Sequence, residues 1–238
     1  MLEVRDIEVR YRNGALGVKN VSLVVEQGQV VALFGANGAG KTTTVRATSG
    51  FVRSEGAKLT RGSIVWNGTD MTNAEPHVFA RVGVAVVPER KKVFPKLTVR
   101  ENLSSMGSAV TGRAHAQRLT HVLELFPAIA TRLDEAAGRL SGGEQQMLAI
   151  GRALLRDPKV LIIDEMTLGL HPSIHVILFD AVRRIVEAGT SILLVDESMA
   201  FALKLADHCY VIRSGEIVDS GPAERFRADH ERAMANVF

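Results

Sequence analysis

An α/β fold with a mostly parallel sheet, an N-terminal antiparallel β part and a helical insert is predicted by three stretches of this sequence. The run Val30-Val31-Ala32-Leu33-Phe34 is apolar throughout and leads into Gly35-Ala36-Asn37-Gly38-Ala39-Gly40-Lys41-Thr42, so a buried strand feeds a glycine-rich loop. A second run, Val160-Leu161-Ile162-Ile163, suits a central parallel strand covered on both faces, and it ends in Asp164-Glu165. Between them, residues 98–157 turn helical, with Leu119, Val122, Leu123 and Phe126 at helical spacing ahead of Pro127.

Taken in order, residues 3–10, 21–25 and 30–34 read as β runs separated by turns at Asn13-Gly14 and Gln27-Gly28, an antiparallel entry sheet. Residues 43–49 should be helical and stop at Gly50, and 62–68 form a strand ending in an Asn67-Gly68 turn. Residues 82–87 make a further strand closed by Pro88. After the second apolar run, residues 174–188 repeat apolar side chains at Ile174, Ile177, Leu178, Ala181, Ile185 and Val186 until Gly189 stops the helix. A strand at 192–195 follows. Residues 208–213 and 216–218 then pair across Ser214-Gly215, and the polar tail from Glu224 reads as helical or frayed.

The 238 residues, 46% hydrophobic and 23% charged, can bury a sizeable core as one α/β unit with a subdomain. Stretches approaching the ~20 apolar residues of a membrane span are missing from the sequence, and the charged start does not resemble a signal peptide. The expected location is therefore cytoplasmic. The single cysteine, Cys209, excludes an internal disulfide and reads as a small core residue. A net charge of +3, with no basic block or recognition motif, argues against nucleic acid as a partner. The densest basic patch is Arg90-Lys91-Lys92, followed by Lys96 and Arg100.

The glycine loop fits G-x-x-x-x-G-K-[ST], and the strand before it and helix after it supply the context that gives the pattern meaning. Residues Gly35 to Gly40 would wrap a nucleoside triphosphate with backbone N–H groups. Lys41 would reach its β and γ oxygens, Thr42 would ligate Mg²⁺, and the helix start at Lys41 to Thr43 adds a positive dipole end. Asp164 and Glu165 stand at the end of a buried strand, where an open α/β sheet places ligands. Asp164 is expected to hold Mg²⁺ and Glu165 to position or deprotonate the attacking water. Leu140-Ser141-Gly142-Gly143-Glu144-Gln145-Gln146 opens a further helix, whose free N–H groups make a second anion site. Two phosphate-binding helix ends for one nucleotide hint at a site shared between protomers.

The ordered set of phosphate loop, Leu-Ser-Gly-Gly-Glu and the Asp164-Glu165 strand end covers nearly the whole chain and resembles the ATP-binding subunits of ABC transporters. The resemblance implies a P-loop ATPase core at 1–88 and 158–238, carrying the β subdomain, and a helical subdomain within 89–157. It implies a head-to-tail dimer of like or unlike subunits, in which Ser141 to Glu144 of one subunit closes over ATP held by the loop of the other. It also assigns Tyr11 to stacking on adenine, although the residue alone reads as a half-buried strand tyrosine. Val87-Pro88-Glu89-Arg90, the segment from Val93 to Leu103 and Leu168-Gly169-Leu170-His171-Pro172 look most like the ATPases of branched-chain amino acid importers.

On that resemblance Glu89 stands where most relatives carry a glutamine that touches Mg²⁺ and the attacking water. Residues 90–96 would face the membrane subunits, and Thr167 to Leu170 matches a dimer-contact loop. Asp196-Glu197-Ser198 puts Glu197 where most relatives carry a histidine that reaches the γ-phosphate. A carboxylate there is repelled unless protonated, turned away or bridged by Mg²⁺, which implies slow intrinsic hydrolysis. His171 and His175 are ordinary surface or interface residues on this reading. The expected function is ATP-driven import of branched-chain amino acids or a related small solute at the cytoplasmic face of the membrane. Separate permease subunits would carry the solute, supplied indirectly by a solute-binding protein. The alternatives are a soluble ABC-type switch acting on ribosomes or DNA, and a P-loop kinase, which leaves Leu140 to Gln146 unexplained.

Overall fold

A computed structural model of the chain describes residues 1–90, 92–105, 112–197 and 199–228. Lys91, Ser198 and residues 229–238, which belong to the basic patch, the Glu197 segment and the polar tail, lie outside the described residues, as do 106–111 in the helical stretch.

Among the described residues the strands form two sheets. In the first, β1 (Leu2–Tyr11) lies between β2 (Leu16–Val25) and β4 (Ala57–Trp66), all antiparallel, with the short β5 (Thr69–Asp70) at the edge beyond the Asn67-Gly68 turn. The ladders break near Asp6, which has φ 47, and Gly62, which has φ +83, faces that break. A Cβ on Gly62 would stand 2.4 Å from the Arg5 and Asp6 carbonyl oxygens, so only glycine fits.

The second sheet runs in the order β10 (Glu216–Pro222), β9 (His208–Arg213), β3 (Val30–Phe34), β8 (Ser191–Asp196), β7 (Val160–Asp164), β6 (Val84–Val87). Its pairings are parallel except at β9/β10. The strand into the glycine loop therefore belongs to this sheet, not to the antiparallel entry sheet expected from the sequence. A run apolar at every position has no outward face, and only a doubly covered sheet buries it whole. Alternate residues go to opposite cores: Val30, Ala32 and Phe34 pack on the helical side with Leu161, Ile163, Ile192 and Leu194, while Val31, Leu33, Val160, Ile162, Leu193 and Val195 pack toward the antiparallel sheet.

Helix α1 (Lys41–Thr48) follows the glycine loop, and α2 (Pro76–Val82) precedes β6. The sequence reading missed α2 and gave Val82 to the strand. Pro76 sits in the first turn of that helix, and Gly83, at φ 99, ends it one residue later than the expected strand start. The stretch expected to be helical holds α3 (Val99–Ser104), α4 (Arg113–Leu125), α5 (Pro127–Ala130) and α6 (Gly142–Leu154). Helix α3 begins on a capping box of Thr98 and Glu101 and α6 on one of Ser141 and Glu144. Helix α7 (Pro172–Glu187) starts on His171, whose side chain accepts from the Ser173 N–H, and α8 (Met199–Ala202) and α9 (Ala223–Ala228) complete the described residues. Among the described residues no helix is long and apolar enough to cross a membrane.

Candidate functional site

The ends of β3 and β7 lie two strands apart in the second sheet, with β8 between them, so the loop after β3 and the carboxylates ending β7 meet at one sheet edge. A cavity of about 560 Å³ opens there. Gly38, Gly40, Lys41, Thr42 and Thr43 line it from the loop and α1, Tyr11 and Gly17 from the antiparallel sheet, and Glu89 and Glu165 from the second sheet's loops. The cradle needs glycine: Gly40 has φ +110, and a Cβ would stand 2.8 Å from Val18 Cγ1. A Cβ on Gly35 would meet the Ile212 carbonyl at 2.4 Å, while Ala39 is buried beneath the loop.

Lys41 is 5% exposed, and its ammonium lies folded into the loop. Its Nζ donates to the Gly35 carbonyl at 2.8 Å and the Ala36 carbonyl at 3.4 Å, and stands 3.1 Å from Glu165 Oε1. Buried charge tolerates low dielectric only when paired, and the catalytic candidates supply each other's counter-charge here. Burial raises the Glu165 carboxyl above the ordinary range; Lys41 opposes the shift and buried Asp196 adds to it. Glu165 is held at φ 55, a conformation costly for a side chain of its size, with its N–H donated to the Val195 carbonyl at 2.8 Å. Thr167 donates to Asp196 at 3.1 Å.

Asp164 is 3% exposed. Burial pushes its carboxyl up to about 6; a hydrogen bond from Thr42 opposes this, and Glu165 and Glu89 add to it. Asp164 Oδ1 and Glu165 Oε2 are buried without a hydrogen-bond partner among the described residues. Orphaned anionic oxygens beside a hydroxyl suit a hard divalent cation, so Thr42 and Asp164, with Glu89 in the same cavity wall, fit Mg²⁺. The raised carboxyl has a measurable cost. Because Asp164 binds its proton more tightly folded than unfolded, its contribution to stability is lost as pH rises from its ordinary range through about 6. Asp164→Asn is therefore expected to stabilise the metal-free, nucleotide-free chain by about 1–3 kcal/mol at pH 7.5. The advantage should shrink between about pH 6 and 4. Urea denaturation in chelator at pH 7.5 and at about pH 4 checks it, and an equal or lower midpoint for the variant at pH 7.5 would refute the charge penalty.

Tyr11 lines the cavity half-buried, and its hydroxyl is tied to Thr43 Oγ1 at 2.8 Å. Gly17 lets it lie there, because a Cβ at that position would meet Tyr11 Cε2 at 2.8 Å. Asn37 donates to the Glu197 carboxylate at 2.9 Å, which fastens that side chain to the loop. Glu89 carries an ion pair with its neighbour Arg90 at 3.0 Å. Ser141, Gly142, Gly143 and Glu144 do not line the cavity; Gly142 and Gly143 pack instead under Leu170 and Ile174 at the start of α7. The two expected anion sites are thus separate within this protomer. His171 and His175, expected as ordinary surface or interface residues, are an exposed N-cap and a partly buried ring packed 5.7 Å from Phe201, with Nε2 of His175 buried. Sequence reasoning missed Gly17 and Arg46, which also line the cavity. Neither carries a local motif: Gly17 comes near the loop through the fold of the antiparallel sheet, and Arg46 through helix α1, which continues directly from the loop.

A family model described as ABC transporter matches residues 18–168. The chain is 42% identical over 207 residues to the high-affinity branched-chain amino acid transport ATP-binding protein BraG of Pseudomonas aeruginosa, covering 86% of each chain. It is 33% identical over 214 residues to the probable branched-chain amino acid transport ATP-binding protein LivF of Archaeoglobus fulgidus, covering 90% of this chain and 88% of that one. Its fold matches a nucleotide-free ATP-binding cassette from an ABC transporter at a TM-score of 0.84 and 25% identity, covering 96% of this chain and 94% of the other.

Proposed function

This chain belongs to the ABC transporter family of ATP-binding subunits and is an ATPase of that family, and we propose that it drives uptake of branched-chain amino acids or a closely related solute through separate membrane permease subunits. The similarity to BraG, 42% over 86% of both chains, carries the reading of the solute. The whole length acts as one ATP-binding unit, with 89–157 contributing its helical part. Two copies, or this chain and an unlike partner, enclose ATP head to tail, with Ser141 to Glu144 of one facing the phosphate loop of the other. The separation of those residues from the cavity supports this.

In the site, Gly35 to Thr43 surround the triphosphate, Lys41 turns from its carbonyl partners and Glu165 to the β and γ oxygens, and Tyr11 stacks on the base. Thr42, Asp164 and Glu89 would hold Mg²⁺, which neutralises phosphate charge when bound. Glu165, released from Lys41, accepts a proton from the attacking water, and its raised carboxyl makes it a better base than an exposed one. Coupling requires ATP to favour the closed dimer, since equal affinity for both states shifts nothing. Phe51 and Pro88 line an adjoining cavity of about 420 Å³ that shares Thr42, Arg46, Glu89 and Arg90 with the first, and Phe51, 42% exposed, offers apolar surface suited to a permease segment. That docking places the chain at the cytoplasmic membrane face.

The test is accumulation of labelled leucine, isoleucine and valine in cells with and without the chain, together with recovery of its partners from gently solubilised membranes. ATP-dependent uptake and multi-span partners are expected. Efflux would reverse the direction, and ribosomal or DNA-bound partners without a membrane subunit would replace the transport reading.

Glu197 gives a sharper expectation within this reading. Its carboxylate, fixed by Asn37, stands where a histidine would assist the γ-phosphate. Glu197→His is expected to raise the turnover number at saturating ATP by about threefold to tenfold, the gain of one removed like charge and one added donor. A turnover number that stays level or falls would show that the carboxylate does not slow hydrolysis.

A further inference from the structure

Helix α6 begins with a contradiction. Its first N–H groups and the Ser141 hydroxyl make an anion site, since Ser141 Oγ accepts from the Glu144 N–H at 3.3 Å and keeps its own proton to donate. Yet Glu144 places a carboxylate in the same first turn, its Oε2 accepting the Ser141 N–H at 2.8 Å. A negative charge there steadies the helix dipole but repels a triphosphate.

Arg132, in the turn between α5 and α6, sits on that carboxylate. Its Nη1 donates to both Glu144 oxygens, at 2.8 and 2.7 Å, while Nε and Nη2 donate to Glu135 at 3.1 and 2.7 Å. One planar guanidinium is thus clamped between two carboxylates in a geometry that lysine cannot copy. Burial pulls the Glu144 carboxyl upward, but the Ser141 N–H and Arg132 outweigh it and hold it below the ordinary range. The Arg132 guanidinium is raised by the hydrogen bonds to Glu135 and Glu144. The three groups stay ionised, and Glu144 faces the helix start as a cap whose charge Arg132, shared with Glu135, offsets in part.

We propose that Arg132 is a positioning residue that offsets the Glu144 charge, so that the start of α6 can close on the triphosphate bound by a partner cassette. This rests on the head-to-tail reading of the site. Arg132 lies away from the protomer's own cavity, so the prediction separates the two nucleotide contacts: closure suffers and binding at the chain's own loop does not.

The experiment uses the full chain carrying Glu165→Gln, in which ATP should accumulate the closed dimer, followed by sedimentation at increasing protein concentration. Adding Arg132→Met is expected to weaken ATP-driven dimerisation about tenfold, the effect of one uncompensated charge near a polyanion. A fluorescent ATP analogue should bind the monomer within about twofold of the parent, since Arg132 is remote from that loop. Adding Glu144→Gln to the Arg132 variant should restore dimerisation to within about threefold, because glutamine keeps the capping box and removes the charge. A purely structural role for Arg132 would not be rescued this way, so a double variant as weak as the single one overturns the proposal, as does an Arg132 variant that dimerises normally. Arg132→Gln provides the same comparison should the methionine variant fold poorly. If the Glu165→Gln parent does not dimerise with ATP at all, the shared-site reading falls and the proposal with it; a parent that dimerises while Arg132→Met has no effect removes Arg132 alone.

Discussion

Glu165→Gln is expected to lower ATP hydrolysis by about 10²–10⁴-fold while ATP still binds, the usual worth of a positioned general base. The substitution keeps the shape of the side chain. A glutamine oxygen can still accept from Lys41, 3.1 Å away in the wild type, and the backbone at φ 55 remains pinned by the bond to Val195. Only the capacity to take a proton is lost. Because that proton must come from water at the γ-phosphate, the loss falls on turnover and not on ATP affinity. Phosphate release measured beside retention of labelled nucleotide separates the two. Release at the wild-type rate would remove Glu165 from the catalytic role and turn attention to Asp196, the buried carboxylate nearest it in charge coupling.

Glu165 was legible in the sequence because its signal is local: an apolar strand that stops on two carboxylates. The phosphate loop was legible for the same reason, with eight consecutive residues carrying both the pattern and the conformational need for glycine. The buried parallel strands could be read because a run with no polar face excludes a half-exposed sheet. What escaped depended on chain segments distant in sequence. The partners of β3 are β8 and β9, both more than 150 residues later, and although the unbroken apolar run of Val30 to Phe34 excludes a half-exposed sheet, its nearness in sequence to β1 and β2 drew it into the antiparallel one. Helix α2 offered seven residues with one buried side chain, Phe79, too few to set a period. Gly17, outside every strand read from the sequence, carries no signal until Tyr11 is seen lying across it, and Arg132 none until two carboxylates are found on either side. The Asn37 bond to Glu197 spans 160 positions, so the sequence could frame the electrostatic problem of that carboxylate without supplying its partner.

Lys41→Met is expected to reduce ATP affinity by about 100-fold or more, since charge-assisted hydrogen bonds to phosphate are each worth ~1.5–3 kcal/mol and tenfold corresponds to ~1.4. Methionine matches the length of the lysine stem, so the change is chiefly electrical. The same substitution should also destabilise the empty chain. Lys41 and Glu165 are 5% and 7% exposed, and removing the ammonium leaves a buried carboxylate with no counter-charge, a loss of about 3–5 kcal/mol in such settings. The two effects have separate origins and can be pulled apart. In the double variant Lys41→Met with Glu165→Gln, the buried charge is gone and the empty chain should regain most of its denaturation midpoint, while ATP affinity stays low because the phosphate partner is still missing. Calorimetric titration with ATP and denaturation in its absence measure the two quantities independently. If the single variant binds ATP within about threefold of wild type, the backbone N–H groups of the glycine loop suffice to hold the phosphates. The folded-back ammonium would then serve the resting chain alone, as the counter-ion that allows Glu165 to be buried before substrate arrives.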